Sequence, residues 1–263
     1  MIKREFKVNL KSFVIWTSIL IGMFLIVYLI YPYIINDATV KNMDELMKVF
    51  PDKILKAFNM DMTSISTAYG WFKTEGFMFV LIIVGIYSSI LGSNIVLKEE
   101  SNKTIEYLSS LPVTRTKIMT NKIIVCITYI TLMVLLLGIF NYISLCISGE
   151  FAHKQFILIS ITPILIGYPL FAFNLFISTF LHKIRKTTVL SLGIVFLFYI
   201  LNVISELSEK VEFIKYFSIY TLSDLRGVIN NVSINPINII LSISITILFI
   251  ILSYIRYNKK ELI

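Results

Sequence analysis

The side chains best suited to bind a metal ion or to attack a substrate are two cysteines and two histidines. Cys126 and Cys146 lie in one apolar run, and at 1.5 Å per residue along a helix they are about 30 Å apart, too far for a disulfide. We interpret both as buried, unreactive thiols. His153 and His182 lie at opposite ends of a second apolar run and cannot share a metal ion. The sequence therefore predicts no metal site.

Motifs that bind phosphate or carry covalent chemistry are also missing from the sequence. None of the ten glycines belongs to G-x-x-x-x-G-K-[ST], the loop with which a chain binds and hydrolyses ATP. The long apolar runs contain no ionisable residue in their interiors, whereas ion-driven carriers and intramembrane aspartyl proteases use such groups there. We therefore predict a protein that is not an enzyme, has no catalytic residues and needs no cofactor.

The composition indicates which elements must position the remaining polar residues. Hydrophobic residues make up 57% of the 263 residues and charged residues 15%, and the mean hydropathy is +0.83. A helix needs about 20 apolar residues to cross the hydrocarbon core, where every backbone polar group must be hydrogen-bonded. Six runs meet or approach this length: 13–35, 76–97, 123–147, 156–181, 187–205 and 237–255. We predict an all-α polytopic membrane protein with six transmembrane helices in one domain, residues 1–263.

The cations are distributed unevenly among the segments that connect these runs. Lys and Arg in short loops favour the cytoplasmic side of a membrane. With the N-terminus inside, the inner segments carry 15 of the 24 Lys and Arg, although they are shorter in total than the outer segments. These inner segments are 1–12, 98–122, 182–186 and 256–263. We predict cytosolic N- and C-termini. The basic inner segments are expected to face the anionic headgroups of the lipid bilayer, and no nucleic-acid partner is predicted.

Four asparagines and two prolines interrupt the apolar runs. The asparagines are Asn94, Asn141, Asn174 and Asn202. Their amides can form hydrogen bonds between helices or contact a transported substrate, and the sequence leaves both roles open. We keep them as candidate residues of a substrate pathway. Pro163 and Pro169 are expected to kink the fourth helix.

The two longest outer loops contain amphipathic patterns. Within 36–75, apolar residues recur at helical spacing in two groups, which are Met43, Leu46, Met47 and Phe50, then Ile54, Leu55 and Phe58. We predict two short amphipathic helices there, either packed on the bilayer or bundle or acting as a lid. The loop before the sixth run ends in Asn235, a predicted N-cap, and Pro236, a predicted first-turn residue.

One polar strip, 97–122, separates the second and third apolar runs and forms the largest cytoplasmic loop. Its pattern predicts a polar helix over 98–110, which ends at Pro112, and a cap for the next helix at Thr114. The strip contains an acidic pair, spaced polar and leucine residues, a Pro-Val-Thr-Arg break and a closing lysine: Glu99, Glu100, Thr104, Glu106, Leu108, Leu111, Pro112, Val113, Thr114, Arg115 and Lys122. This arrangement resembles the corresponding segment of bacterial type 2 ABC transporter permeases, the membrane subunits of ATP-driven exporters. Asn102 and Lys103 stand where that family has a glycine.

The resemblance implies a function and a set of partners. In that family the strip resembles a coupling helix seated in a cleft of a cytoplasmic ATPase, so the residues implied in coupling are Glu99, Glu100, Thr104, Glu106, Leu108, Pro112, Arg115 and Lys122. It also implies a separate ABC ATPase subunit, a second permease copy or a homologous permease, and export across the cell membrane. The alternative, from another class, is an energy-independent immunity or sensor protein that binds a toxin or peptide at the membrane.

Overall fold

The computed structural model describes residues 2–34, 67–104, 112–149, 151–207 and 209–260. Within these ranges the chain is largely helical and contains no strand. Six helices in these described ranges are long and apolar enough to cross a membrane. We label them α1 to α6: Ile2–Ile34, Ala68–Ile95, Arg115–Ser148, His153–Ser178, Ile184–Leu207 and Pro236–Lys259. The prediction of an all-α protein with six membrane helices is confirmed.

Helices α1 and α3 begin well before the apolar runs that predicted them. Helix α1 starts at Ile2 and α3 starts at Arg115, each several residues ahead of its predicted span. The additional turns have one face packed on the protein and one exposed face. Glu5 and Lys122 are buried there, whereas Lys117 is exposed. The apolar runs therefore predict which part of a helix crosses the hydrocarbon core, and they do not predict where the helix begins.

Helix α4 lies at the centre of the bundle and packs mainly against α2 and α6. Its approach to α2 is close because a glycine faces its backbone: a Cβ added to Gly92 would lie 2.4 Å from the carbonyl oxygen of Phe171. The amide of Asn174 also donates a hydrogen bond of 3.0 Å to the Ser89 hydroxyl. Small residues allow such contacts between membrane helices, where dispersion and hydrogen bonds drive packing. The α2–α4 pair is therefore the most deeply buried part of the core, to which α3 also contributes many buried side chains.

Three helices, α1, α5 and α6, keep most of their surface outside this core. About a fifth of the most apolar stretch of each is buried, against roughly two thirds of that of α2 and of α4. Their outward faces carry Leu29, Val189 and Ile240, which are 63%, 66% and 62% exposed. Exposed aliphatic side chains in such numbers fit contact with lipid or with another membrane subunit.

Helix α4 is interrupted where the first of its two prolines occurs. The helix ends at Ile161 and resumes at Pro163, with Thr162 between the two parts. Proline has no backbone N–H, but this costs nothing at the first position of a helix, where an N–H would have no partner within the helix. Pro169 lies inside the second part. The expected irregularity is thus found at Pro163.

The loop between α5 and α6 folds into short helices, whereas the amphipathic helices predicted between Met43 and Phe58 lie outside the described residues. At the end of the described loop, Asn235 accepts a hydrogen bond of 3.0 Å from the backbone N–H of Ile237, and Pro236 is the first residue of α6. The predicted N-cap is therefore confirmed. The short helices are Glu209–Phe217, Ile219–Ser223 and Leu225–Asn231.

The two cysteines on α3 differ in their surroundings. Cys126 is buried, but Cys146 is exposed, so the prediction of two buried thiols is wrong for Cys146. It lies in the last turn of the helix, beside Ile147, which is 82% exposed. A thiol behaves as a small apolar group, so it need not be buried by other residues when its surroundings are apolar or interfacial.

Candidate coupling segment and cavity

The polar strip leaves α2 through a sharp turn. A one-turn helix, Lys98–Ser101, is followed by Lys103 at a φ of 54°, and the N–H of Thr104 then donates a hydrogen bond of 2.9 Å to the Glu99 carbonyl. The left-handed conformation of Lys103 is one that glycine adopts without cost. The helix predicted over 98–110 is therefore not continuous, because it ends at Ser101. Glu106 and Leu108 lie outside the described residues.

A first buried group, the Lys122 cluster, consists of Glu5, Glu99 and Lys122. The Lys122 side chain is 1% exposed, and its ammonium lies 2.6 Å from a Glu99 carboxylate oxygen and 3.6 Å from a Glu5 oxygen. It also donates a hydrogen bond of 2.7 Å to the carbonyl of Ile95, in the last turn of α2. The cluster therefore joins α1, the end of α2 and α3 at one point.

A second group, the Glu100 cluster, consists of the buried residues Glu100 and Lys260 and of His182, whose side chain is half exposed. The Lys260 ammonium lies 2.7 Å from the Glu100 carboxylate and donates a hydrogen bond of 2.8 Å to the carbonyl of Leu181. The imidazole of His182 lies 3.2 Å from the other Glu100 oxygen. This cluster links the strip to the connection between α4 and α5 and to the residue that follows α6.

Arg115, at the start of α3, strengthens the link to the end of α6. Its guanidinium donates hydrogen bonds of 3.2 Å to the Asn258 carbonyl and 2.7 Å to the Lys260 carbonyl. The last carbonyls of a helix lack partners within the helix and carry partial negative charge, so an arginine satisfies them. Thr114, next to it, accepts a hydrogen bond of 3.3 Å from the N–H of Lys117, which confirms the predicted cap.

Burial affects the ionisation of two lysines at these clusters. It lowers the pKa of Lys260, and the Glu100 carboxylate opposes the shift. It also lowers the pKa of Lys98, against the opposing effect of Glu5 and Glu99. A buried ammonium is destabilised unless an anion is close, so the charge of each lysine depends on its glutamates.

The predicted coupling residues divide into two sets by exposure. Pro112 and Arg115 are exposed, and Thr104 is half-buried. Glu99, Glu100 and Lys122 are buried and contact other parts of the same chain. The buried set is placed to hold the strip against the helices. The exposed set, in which Arg115 also bonds to the end of α6, is placed where another molecule could reach it. Contact of either set with an ATPase stays a prediction.

Three of the four asparagines form hydrogen bonds between helices. Asn174 bonds to α2 as described above. The oxygen of Asn141 on α3 accepts a hydrogen bond of 3.1 Å from Tyr28 on α1, and that of Asn94 on α2 accepts one of 2.9 Å from Thr188 on α5. Asn202 differs, because its amide faces Glu206 on its own helix at 3.4 Å and it lines a cavity.

This cavity has a volume of about 930 Å³ and lies at the ends of the helices opposite the ionic clusters. Its walls come from α2, α4, α5 and α6, and its mouth from the short helices between α5 and α6. Phe77, Phe173, Phe198 and Phe249 contribute aromatic surface in the part within the bundle. The volume lies toward the upper end of the roughly 300–1,000 Å³ usual for small-molecule sites.

Comparison with known families gives a match over nearly the whole chain. The model of the ABC-2 family transporter proteins matches residues 1–262. The chain belongs to the ABC-2 family. No curated protein matches it. Family membership confirms the resemblance noted for the polar strip and makes the chain a membrane component of the ABC transporter type.

Sequence reasoning missed three residues that the ABC-2 fold brings to the strip. Glu5 on α1 contacts Lys122, whereas His182 before α5 and Lys260 after α6 contact Glu100. All three lie far along the chain from the strip residue that they contact, and no local spacing relates such positions. The usable signal was their location in segments assigned to the same side of the membrane, which predicts proximity to the strip but no specific pairing.

Proposed function

We propose that this ABC-2 chain is the permease subunit of an ATP-driven export system in the cell membrane, with ATP hydrolysed by a separate cytoplasmic subunit. The observation that carries the proposal is the pair of buried ionic clusters. Through Glu99 and Glu100 they connect the strip to α1, α3 and α6, in addition to α2, from which it leaves. Force applied to the strip by an ATPase would therefore reach four helices.

The energetics of the clusters support transmission of motion. Removing one partner of a buried ion pair costs about 3–5 kcal/mol, because the remaining charge is left without compensation. The strip therefore cannot move far from Lys122 or Lys260 without a large penalty, and small displacements carry the attached helix ends along. In this mechanism Glu99, Glu100 and Lys122 position the strip. Thr104, Glu106, Leu108, Pro112 and Arg115 are the residues proposed to contact the ATPase.

A second permease, either another copy or a related chain, completes the proposed assembly. Closed twofold pairs are the commonest symmetric arrangement of protein oligomers in general. The apolar faces of α1, α5 and α6 supply the surface for this contact as well as for lipid. The cavity, with Asn202 in its wall, is the proposed part of the substrate pathway, whereas Asn94, Asn141 and Asn174 are proposed to act on it only by holding the helices in place.

Purification in mild detergent tests the partner. An ATPase should copurify, and reconstitution of the complex should give substrate-stimulated hydrolysis. Glu100→Gln should retain the ATPase but lose most of the stimulation, because the link to Lys260 loses a full charge. Lys154→Gln, which removes an exposed charge at the start of α4, far from the strip, serves as the control. Absence of any ATPase would instead favour the energy-independent immunity or sensor protein.

A second experiment separates contact from transmission. Thr104→Arg places a bulky charge in the turn of the strip and should weaken ATPase binding itself, whereas Glu100→Gln should leave binding intact. Equal loss of binding in both variants would contradict the division into contacting and positioning residues.

Cysteine labelling tests the orientation that the proposal requires. In a chain whose native cysteines are replaced by alanine, Asn231→Cys should react with a membrane-impermeant thiol reagent applied outside. Lys103→Cys should react only after permeabilisation, because the distribution of Lys and Arg assigns the strip to the cytoplasmic side of the membrane. External labelling of Lys103→Cys in sealed cells would overturn the orientation.

A further inference from the structure

We propose that the cavity between α5 and α6 binds a single phospholipid of the leaflet opposite the polar strip, one whose headgroup carries both a phosphate and an amine. The inference goes beyond the proposed function, because it requires neither an ATPase nor transport. It rests on the shape of the cavity, on how it opens and on the charges at its mouth.

The depth of the cavity matches one leaflet of a bilayer. On α6 its wall runs from Ile237 to Phe249, which is about 18 Å at 1.5 Å per residue. Half of a hydrocarbon core of roughly 30 Å is about 15 Å. The cavity thus reaches from the helix ends, where headgroups lie, to near the middle of the bilayer. An acyl chain entering at the mouth would meet the apolar side chains of Leu241, Ile245 and Phe249 along α6.

The cavity also has a route open to lipid. Helices α5 and α6 border it, but each packs on other helices, α5 mainly on α2 and α6 mainly on α4, rather than on the other. Leu241 lines the cavity and is 45% exposed, which places the gap at the outer surface of the bundle. A ligand can therefore enter sideways from the hydrocarbon, a path available to a lipid but unfavourable for a water-soluble molecule.

The mouth of the cavity carries charges of both signs. Arg226 lies 2.8 Å from Glu206, and Lys215 pairs with Glu212. Asp224 adds a third carboxylate, and all five side chains line the cavity. A headgroup with a phosphate and an ammonium can bind to such a mouth with each charge facing its opposite, whereas a purely anionic headgroup would meet the carboxylates without compensation.

Exposed aromatic residues mark the mouth as interfacial. Tyr216 and Phe217 are 81% and 67% exposed and belong to the cavity lining. Aromatic side chains concentrate where the hydrocarbon meets water, since the ring prefers an amphipathic setting. Their position at the same end as the paired charges places these charges at headgroup level.

The test measures lipid retained by the purified chain. The protein is reconstituted in vesicles of equal phosphatidylethanolamine and phosphatidylglycerol, extracted in mild detergent, washed and analysed by native mass spectrometry. We expect one phosphatidylethanolamine per chain to remain. Ile245→Trp, which fills the cavity from α6, should abolish retention. Ile247→Trp, on the same helix but at a position outside the lining and 52% exposed, should not.

A headgroup variant keeps the test decisive if the tryptophan variant fails to fold. Glu206→Gln removes one carboxylate from the mouth and should reduce the preference for phosphatidylethanolamine over phosphatidylglycerol by about tenfold, the effect of losing one charge-assisted hydrogen bond. Retention of neither lipid by the unmodified chain would overturn the proposal, because the cavity would then hold no lipid. Equal retention of both lipids, or unchanged retention in Ile245→Trp, would also overturn it, because the retained lipid would then be ordinary surface lipid.

Discussion

The two ends of the helix bundle differ in how closely their helices are held together. At the end that carries the polar strip, Lys122, Lys260 and Arg115 join helix ends through buried charges and backbone carbonyls. At the other end, α5 and α6 stand apart around a cavity of about 930 Å³, and the Arg226–Glu206 and Lys215–Glu212 ion pairs lie at its mouth. The first end is suited to transmit force as a unit. The second has room to change its shape, as a site that admits a ligand must.

The largest expected effect is the loss of the positive charge of Lys122, at the end of the bundle that carries the polar strip. Lys122→Ala leaves Glu5 and Glu99 buried without the cation that pairs with them directly, and we expect a loss of about 3–5 kcal/mol in the free energy of unfolding. Thermal unfolding in detergent measures it. Lys117→Ala, an exposed lysine on the same helix, is the matched control and should change stability little. Equal stability of both variants would remove the contrast between the two ends.

A second prediction concerns the helix pair that connects the ends. Gly92→Ala would bring a Cβ to 2.4 Å from the Phe171 carbonyl oxygen, so α2 and α4 must separate. Overpacking of this kind costs about 1–3 kcal/mol. The control is Gly193→Ala on α5, where nothing lies within 4 Å of the added Cβ. A Gly92→Ala protein as stable as the Gly193→Ala protein would show that the pair is not closely packed.

A third prediction tests whether the Glu100 cluster acts as a pair. Glu100→Lys and Lys260→Glu should each destabilise the protein and impair coupled hydrolysis, because like charges then face each other. The double exchange should recover part of both losses, with a coupling free energy of about 0.5–3 kcal/mol. Thermal unfolding and reconstituted hydrolysis measure the two effects. Strictly additive losses would mean that the two residues do not interact.

The smallest expected effect is in the turn of the strip. Lys103→Gly removes the cost of a left-handed conformation in a side-chain-bearing residue, and we expect a gain of about 0.5–1 kcal/mol after the added flexibility of the unfolded chain is counted. Lys103→Ala keeps the Cβ and should show no such gain. A destabilised Lys103→Gly protein would indicate that the lysine side chain itself holds the turn.

Local signals in the sequence predicted local structure well. Asn235 and Thr114 were identified as caps because a cap depends on residues two or three positions away. The six apolar runs predicted the six helices for a similar reason, since length and hydropathy decide membrane crossing. The prediction of one continuous helix over 98–110 was wrong at 102–104, because the backbone turns at Lys103, where the sequence lacks the glycine that would have signalled a turn.

By itself the sequence determined the class of protein, the number of its helices and the family to which it belongs, because these follow from composition, run length and the motifs of one strip. Only the tertiary structure decided that Glu99 and Glu100 face inward to Lys122 and Lys260, and that Asn202 alone among the four asparagines lines the cavity. The physical reason is range: hydropathy and caps act between neighbours in the chain, whereas a buried ion pair or a cavity requires helices that are distant in sequence to meet.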